Sequence, residues 1–192
     1  MNLPNKLTMA RIVMVPLLIA VYVIWGAHGV PAYLAMGTIY LLASFTDYLD
    51  GAIARKRNIV TTFGKFMDPL ADKLLVMTAL VILADVDARN ILPGLWMPFW
   101  APLIVLAREL IVTSIRLVAV GEGTIIAASK LGKAKTAVTM AATGYYFLVL
   151  PWQLHPALDV VGIVLMAAAL LLTIVSGADY FWKNRKSIFA SV

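Results

Sequence analysis

Apolar residues run through this chain in six long stretches, at 8–25, 32–54, 63–84, 97–120, 131–150 and 157–182. A helix needs roughly 20 mainly apolar residues to cross a bilayer core, so the pattern predicts six spans that use nearly the whole chain. Turn-forming residues separate the stretches: Gly26-Ala27-His28-Gly29-Val30-Pro31, then 85–94, then Gly121-Glu122-Gly123, then 151–156. The link at 55–62 is short and strongly basic. The expected fold is an all-α membrane protein, a six-transmembrane-helix bundle formed by 1–192 as one domain. No soluble domain of useful size fits beside it, and no internal repeat or low-complexity tract interrupts it.

Composition strengthens that picture. Of 192 residues, 62% are hydrophobic and only 14% charged, against about 25% charged in soluble domains; mean hydropathy is +0.90. The absence of cysteine excludes disulfides and thiolate metal sites. The net charge of +6 is not gathered in an arm or stripe that would bind nucleic acid. It sorts by side instead. With a cytoplasmic N-terminus, Lys6, Arg11, Arg55, Lys56, Arg57, Lys130, Lys133, Lys135, Lys183, Arg185 and Lys186 all fall inside, and Arg89 alone falls outside. That asymmetry predicts an even number of spans with both termini cytoplasmic. The first ten residues are short and polar, with no cleavage site after them, so the first span is expected to be a retained anchor. Trp25, Trp96, Trp100, Trp152 and Trp182 fall near helix ends, as an interfacial belt would place them. His28, His155, Asp85 and Asp87 are read as residues of outer loops.

Four aspartates change the question from fold to chemistry. Asp47 and Asp50 lie just before the basic end of the second helix, and Asp68 and Asp72 just after the start of the third. At 1.5 Å per residue, each pair lies roughly 8–16 Å from the shared turn. Spacings of i,i+3 and i,i+4 put each pair on one face of its helix. Four carboxylates crowded at low dielectric need positive charge to stay ionised. A hard divalent cation, Mg²⁺ or Mn²⁺, meets that need, and four aspartates on two helices suit two such ions. Gly51 and Gly64 each lie one turn from an aspartate on the same face, which would let a bulky ligand approach the backbone. Arg55, one turn further, suits a phosphate. A lone aspartate near a helix end usually caps it, and glycine in membrane helices often serves packing alone. Four acids at mutually facing positions call for more.

The string Asp47-x-x-Asp50-Gly51-x-x-Ala54-Arg55, eight residues, then Gly64-x-x-x-Asp68-x-x-x-Asp72 resembles the signature of the CDP-alcohol phosphotransferase family at every defined position. That resemblance implies a six-helix membrane enzyme, usually a homodimer, whose site opens to the cytoplasm. It implies two divalent cations held by Asp47, Asp50, Asp68 and Asp72 against the pyrophosphate of a CDP-linked lipid. Asp72 would also be the general base toward the attacking alcohol. Asp50, Gly51, Ala54, Arg55 and Gly64 would surround the cytidine nucleotide. Asn5-x-x-Thr8-x-x-Arg11 resembles a family element that touches it too, although a helix cap with a positive-inside anchor would read the same.

The acceptor is less sharply written. Arg108, Glu109 and Arg116 lie inside an apolar span, where charge is expensive, and Gly132-Lys133-Ala134-Lys135-Thr136 opens the fifth helix. Arg108, Arg116, Lys133 and Lys135 together would suit an acceptor phosphate; alternatively, Arg108 pairs with Glu109 and the lysines are positive-inside residues. With the N-terminal segment, these residues resemble the bacterial branch of the family that transfers a phosphatidyl group from CDP-diacylglycerol to sn-glycerol 3-phosphate, releasing CMP. An inner-membrane location follows from that likeness. Inositol phosphate and serine remain alternative acceptors, because relatives that use them share the aspartate motif. A divalent-cation transporter would want acids continuing to the outer face, and the outer halves of the six helices are nearly free of ionisable residues.

Overall fold

The computed structural model describes residues 3–57, 62–121, 126 and 129–188. Within α2 and the start of α3, the side chains of residues 47–57, 62, 63 and 65 lie outside the described residues. Six α-helices and one short 3₁₀ turn make up the fold, with no strand among the described residues. They are α1 (Leu3–Trp25), α2 (Gly29–Arg57), α3 (Thr62–Ala88), α4 (Trp100–Gly121), α5 (Lys130–Leu148) and α6 (Ala157–Ile188), with the 3₁₀ turn at Leu150–Trp152.

Helix ends depart from the hydrophobic stretches where local chemistry overrides hydropathy. The α1–α2 turn is shorter than the sequence suggests. Gly26 and Ala27 reverse the chain at φ 62° and 54°, and α2 begins at Gly29. Pro31 therefore sits in its first turn, where a missing N–H costs nothing. Helix α3 runs on to Ala88 and takes Asp85 and Asp87 out of the expected loop. The Tyr22 hydroxyl donates to Asp85, Arg89 pairs with it at 2.9 Å, and the Met97 N–H donates to Asp87 at 2.9 Å. These two acids are fasteners at the C-terminal end of α3, not solvated turn residues. Both histidines are exposed, as expected.

Three stretches are long and apolar enough to cross a membrane: Asn5–Trp25, Gly29–Thr46 and Ala157–Arg185. They mark a membrane protein. The remaining helices carry charges along their length: Asp68, Asp72 and Lys73 on α3, Arg108, Glu109 and Arg116 on α4, and Lys130, Lys133 and Lys135 on α5. The surface presents Val13, Leu17, Val23, Leu103, Leu117, Val164 and Leu171, while Thr8, Arg11, Thr139, Thr143, Thr173 and Ser176 are buried. Polar inside and apolar outside is the arrangement that lipid selects.

Packing runs round a closed circuit, α1–α2–α5–α6–α4–α3 and back to α1, and α3 also crosses to α2 and α5. The core is filled by Leu18, Met36, Tyr40, Leu75, Leu83, Tyr146, Phe147 and Met166, with Tyr40 and Phe147 tilted at 53° and 6.2 Å between ring centres. Gly37 lets α2 approach α5: a Cβ there would lie 2.9 Å from Phe147 Cβ. In that circuit α6 stands between α4 and α5. Among the described residues, no Cα of α4 comes within 8 Å of one of α5, and that gap becomes the site.

Candidate active site

The described carboxylates of the site, Asp68 and Asp72, stand one turn apart on α3, both partly exposed. Helix α1 is anchored beside them. Thr8 is 1% exposed, and its hydroxyl donates to Asp68 Oδ1 at 2.6 Å. Arg11, one turn on, is fully buried, with Nε donating to the Ala43 carbonyl of α2 at 3.3 Å. The face carrying Asn5, Thr8 and Arg11 thus joins α1 to both aspartate-bearing helices. Gly64 is buried one turn before Asp68. The side chains of Asp47, Asp50, Gly51, Ala54 and Arg55 lie outside the described residues, although the α2 backbone that carries them is helical and packs against α3.

Asp72 lines a small cavity of about 40 Å³ with Lys73, Glu109, Lys135, Thr136 and Thr139. Lys73 Nζ donates to Thr113 Oγ1 at 2.5 Å, which ties α3 to α4. A larger cavity of about 440 Å³ opens between α4 and α5, with Arg108, Arg116, Lys133, Ser129 and Tyr180 in its lining. Glu109, Thr136 and Met140 belong to both walls, so the two spaces are neighbours.

Three of the four expected acceptor-site cations, Arg108, Arg116 and Lys133, therefore line one cavity, and Lys135 lines the smaller one beside Asp72. Glu109 Oε1 accepts from Arg108 Nη1 at 2.9 Å and from Lys135 Nζ at 2.7 Å. Arg108 thus pairs with Glu109, as one reading of the sequence expected, and it also lines the cavity. Its Nε is buried and has no hydrogen-bond partner among the described residues. Two glycines give it room. A Cβ at Gly177 of α6 would lie 3.0 Å from Arg108 Cγ, and one at Gly132 of α5 would lie 3.3 Å from Nη2. Ser129 caps α5 by accepting the Gly132 N–H at 3.0 Å, so the positive end of that helix opens on the same cavity.

Tyr180 escaped the sequence reading. It is 3% exposed, its hydroxyl accepts from Arg116 Nε at 3.0 Å, and its ring lies 5.5 Å from the guanidinium carbon. In the sequence it is one more aromatic near the end of a membrane helix, and nothing sets it apart from the interfacial belt.

The donor chemistry suits a hard cation. Asp68 and Asp72 offer only oxygen, on one helix face, and the chain has no thiolate to compete. Among the described residues, no three acidic or histidine side chains gather as a ligand cluster; the expected set needs the two aspartates of α2.

Fold and site together define an all-helical membrane protein with a carboxylate-bearing helix face beside a mainly cationic cavity, an arrangement suited to phosphate groups. The model of the CDP-alcohol phosphatidyltransferase family matches residues 1–175. A protein of Bacillus subtilis (strain 168) named CDP-diacylglycerol--glycerol-3-phosphate 3-phosphatidyltransferase is 40% identical, covering 99% of this chain and 98% of its own. One of the same name from Rickettsia felis (strain ATCC VR-1525 / URRWXCal2) is 37% identical over 96% of each chain. The chain belongs to the CDP-alcohol phosphatidyltransferase family.

Proposed function

We propose that this chain transfers the phosphatidyl group of CDP-diacylglycerol to sn-glycerol 3-phosphate, giving phosphatidylglycerophosphate and CMP. The observation that carries the acceptor is the adjacency of two cavities, one lined by Asp72 and the other by Arg108, Arg116 and Lys133. Full-length likeness to relatives named for that reaction supports the same reading.

Asp47, Asp50, Asp68 and Asp72 would hold two divalent cations, Mg²⁺ or Mn²⁺, which supply positive charge for the diphosphate and the displaced nucleotide. Asn5, Thr8, Arg11, Asp50, Gly51, Ala54, Arg55 and Gly64 are assigned to the CDP moiety. The acceptor phosphate is assigned to Arg108, Arg116, Lys133 and Lys135. Binding it there orients the glycerol hydroxyl toward Asp72, which takes the proton as the oxygen bonds to phosphorus and the bond to CMP breaks. The frame for this chemistry is a homodimer of six-span subunits in a bacterial inner membrane, with the termini and the site on the cytoplasmic face.

The test is CMP release by the purified chain in detergent with CDP-diacylglycerol, comparing glycerol 3-phosphate, inositol phosphate and serine. Release is expected with glycerol 3-phosphate, is expected to stop on chelation, and should return with Mg²⁺ or Mn²⁺. Release with serine but not glycerol 3-phosphate would overturn the acceptor. Asp68→Asn should lower turnover by about 10³-fold or more, as loss of a group that stabilises transition-state charge does, while the protein still inserts.

A further inference from the structure

Glu109 stands where the proposed function has no use for it: a carboxylate in the wall of a cavity assigned to an anion. Its geometry supplies a reason. Helices α4 and α5 do not pack on each other, with no Cα pair within 8 Å among the described residues. Direct polar contact across that gap comes from Glu109 on α4 to Lys135 on α5, at 2.7 Å. The same oxygen holds Arg108 at 2.9 Å. Lys135 and Arg108 are each mostly buried, with side chains 7% and 12% exposed, so neither is held by solvent. Glu109 is also one of the residues shared by the Asp72 cavity and the larger cationic one.

We propose that Glu109 is the positioning residue of the acceptor site, bridging Lys135 and Arg108 across the α4–α5 gap so that their remaining N–H groups hold the acceptor phosphate at a set distance from Asp72. This deepens the proposed function and rests on it. One Oε1 occupies one N–H of Lys135 and one of Arg108. Two donors remain on Lys135, and on Arg108 the second Nη1 hydrogen, the Nη2 group and the unpartnered Nε remain. The carboxylate also offsets part of the mutual repulsion of buried cations before the phosphate arrives. Of the four charged residues in the larger cavity's lining, Arg108, Arg116 and Lys133 are cationic and Glu109 is anionic. The lining therefore keeps a positive balance that suits a phosphate monoester, which carries between one and two negative charges near neutral pH. Without Glu109, Lys135 would be a buried ammonium that has lost its carboxylate partner, drawn toward the carboxylates around Asp72.

The experiment compares wild type, Glu109→Gln, Glu109→Asp and Glu109→Ala as full-length protein in detergent, titrating glycerol 3-phosphate and CDP-diacylglycerol separately. Glu109→Gln should raise the glycerol 3-phosphate KM about tenfold or more, the scale of a lost charge-assisted hydrogen bond. The CDP-diacylglycerol KM should change less than about twofold, since that lipid does not depend on the bridge. Glu109→Asp, which keeps the charge on a shorter stem, should recover part of the loss, and Glu109→Ala none. Should turnover be too low for saturation curves, the shift in unfolding temperature produced by each substrate replaces them. Loss of the glycerol 3-phosphate shift with retention of the CDP-diacylglycerol shift supports the proposal. An equal effect on both substrates, no effect on either, or no advantage of Asp over Ala would overturn it. Wild type inactive toward glycerol 3-phosphate would instead overturn the function on which the proposal rests, so the two failures are distinct.

Discussion

Thr8 is the residue at which the N-terminal segment and the aspartate motif meet. Its hydroxyl is buried and donates to Asp68 at 2.6 Å, and a bond to a carboxylate of that kind is worth about 1.5–3 kcal/mol. Thr8→Val keeps the shape of the side chain and removes the donor. Its kcat/KM for CMP release is expected to fall by about tenfold or more, and Thr8→Ser to retain most of the activity. Equal losses in the two variants would remove the hydrogen bond as the cause. The resemblance of Asn5-x-x-Thr8-x-x-Arg11 to a family element is what assigned Thr8 to the nucleotide, while its carboxylate partner, 60 positions away, needed the packing of α1 on α3. Glu109 tells a similar story. Its neighbour Arg108 was a visible partner in sequence, whereas the bond to Lys135 joins positions 26 apart on helices that share no backbone contact.

At the scale of elements, the six helices were legible because hydropathy and turn chemistry alternate clearly along the chain. Their ends were less so, since caps and tertiary fasteners decide them: Pro31 is absorbed into α2, and Asp85 and Asp87 into α3. Close helix approach was also hidden, because a glycine does not say which neighbour it admits. Gly37 faces Leu148 and Phe147 on α5, whereas a Cβ at Gly121 would meet nothing within 4 Å among the described residues. Gly37→Leu is therefore expected to destabilise the fold by about 1–3 kcal/mol through overpacking, read as a lower unfolding temperature in detergent. Gly121→Ala should leave that temperature within experimental scatter. Since replacing glycine raises helix propensity, a matching drop at Gly121 would show that the α2–α5 contact does not set the effect.

At the scale of the molecule, the closed circuit of helices puts the Asp85 and Asp87 fasteners at one end and the Asp68–Asp72 face at the other. A chain without cysteine makes the proposed topology easy to read by thiol labelling. A membrane-impermeant maleimide should modify His28→Cys and His155→Cys in intact cells, and Asn184→Cys only after permeabilisation. Labelling of position 184 from outside would invert the orientation inferred from the distribution of Lys and Arg.

The amino-acid sequence alone determined the solvent and the number of helices, and it pointed to the carboxylates that are proposed to react. Long apolar stretches can satisfy their backbone in lipid only as helices, and carboxylates kept at helical spacing in such a setting are the reason a cation is proposed there. Only the tertiary structure decided how those helices meet: the Thr8 bond to Asp68, the Tyr180 support of Arg116, and the gap that Glu109 bridges from α4 to Lys135 on α5. The reason is physical. Hydropathy records which faces avoid water, but lipid and a neighbouring helix are equally apolar to a Leu side chain. The partner of a buried charge is therefore chosen by packing geometry, and periodicity along one helix carries no trace of it.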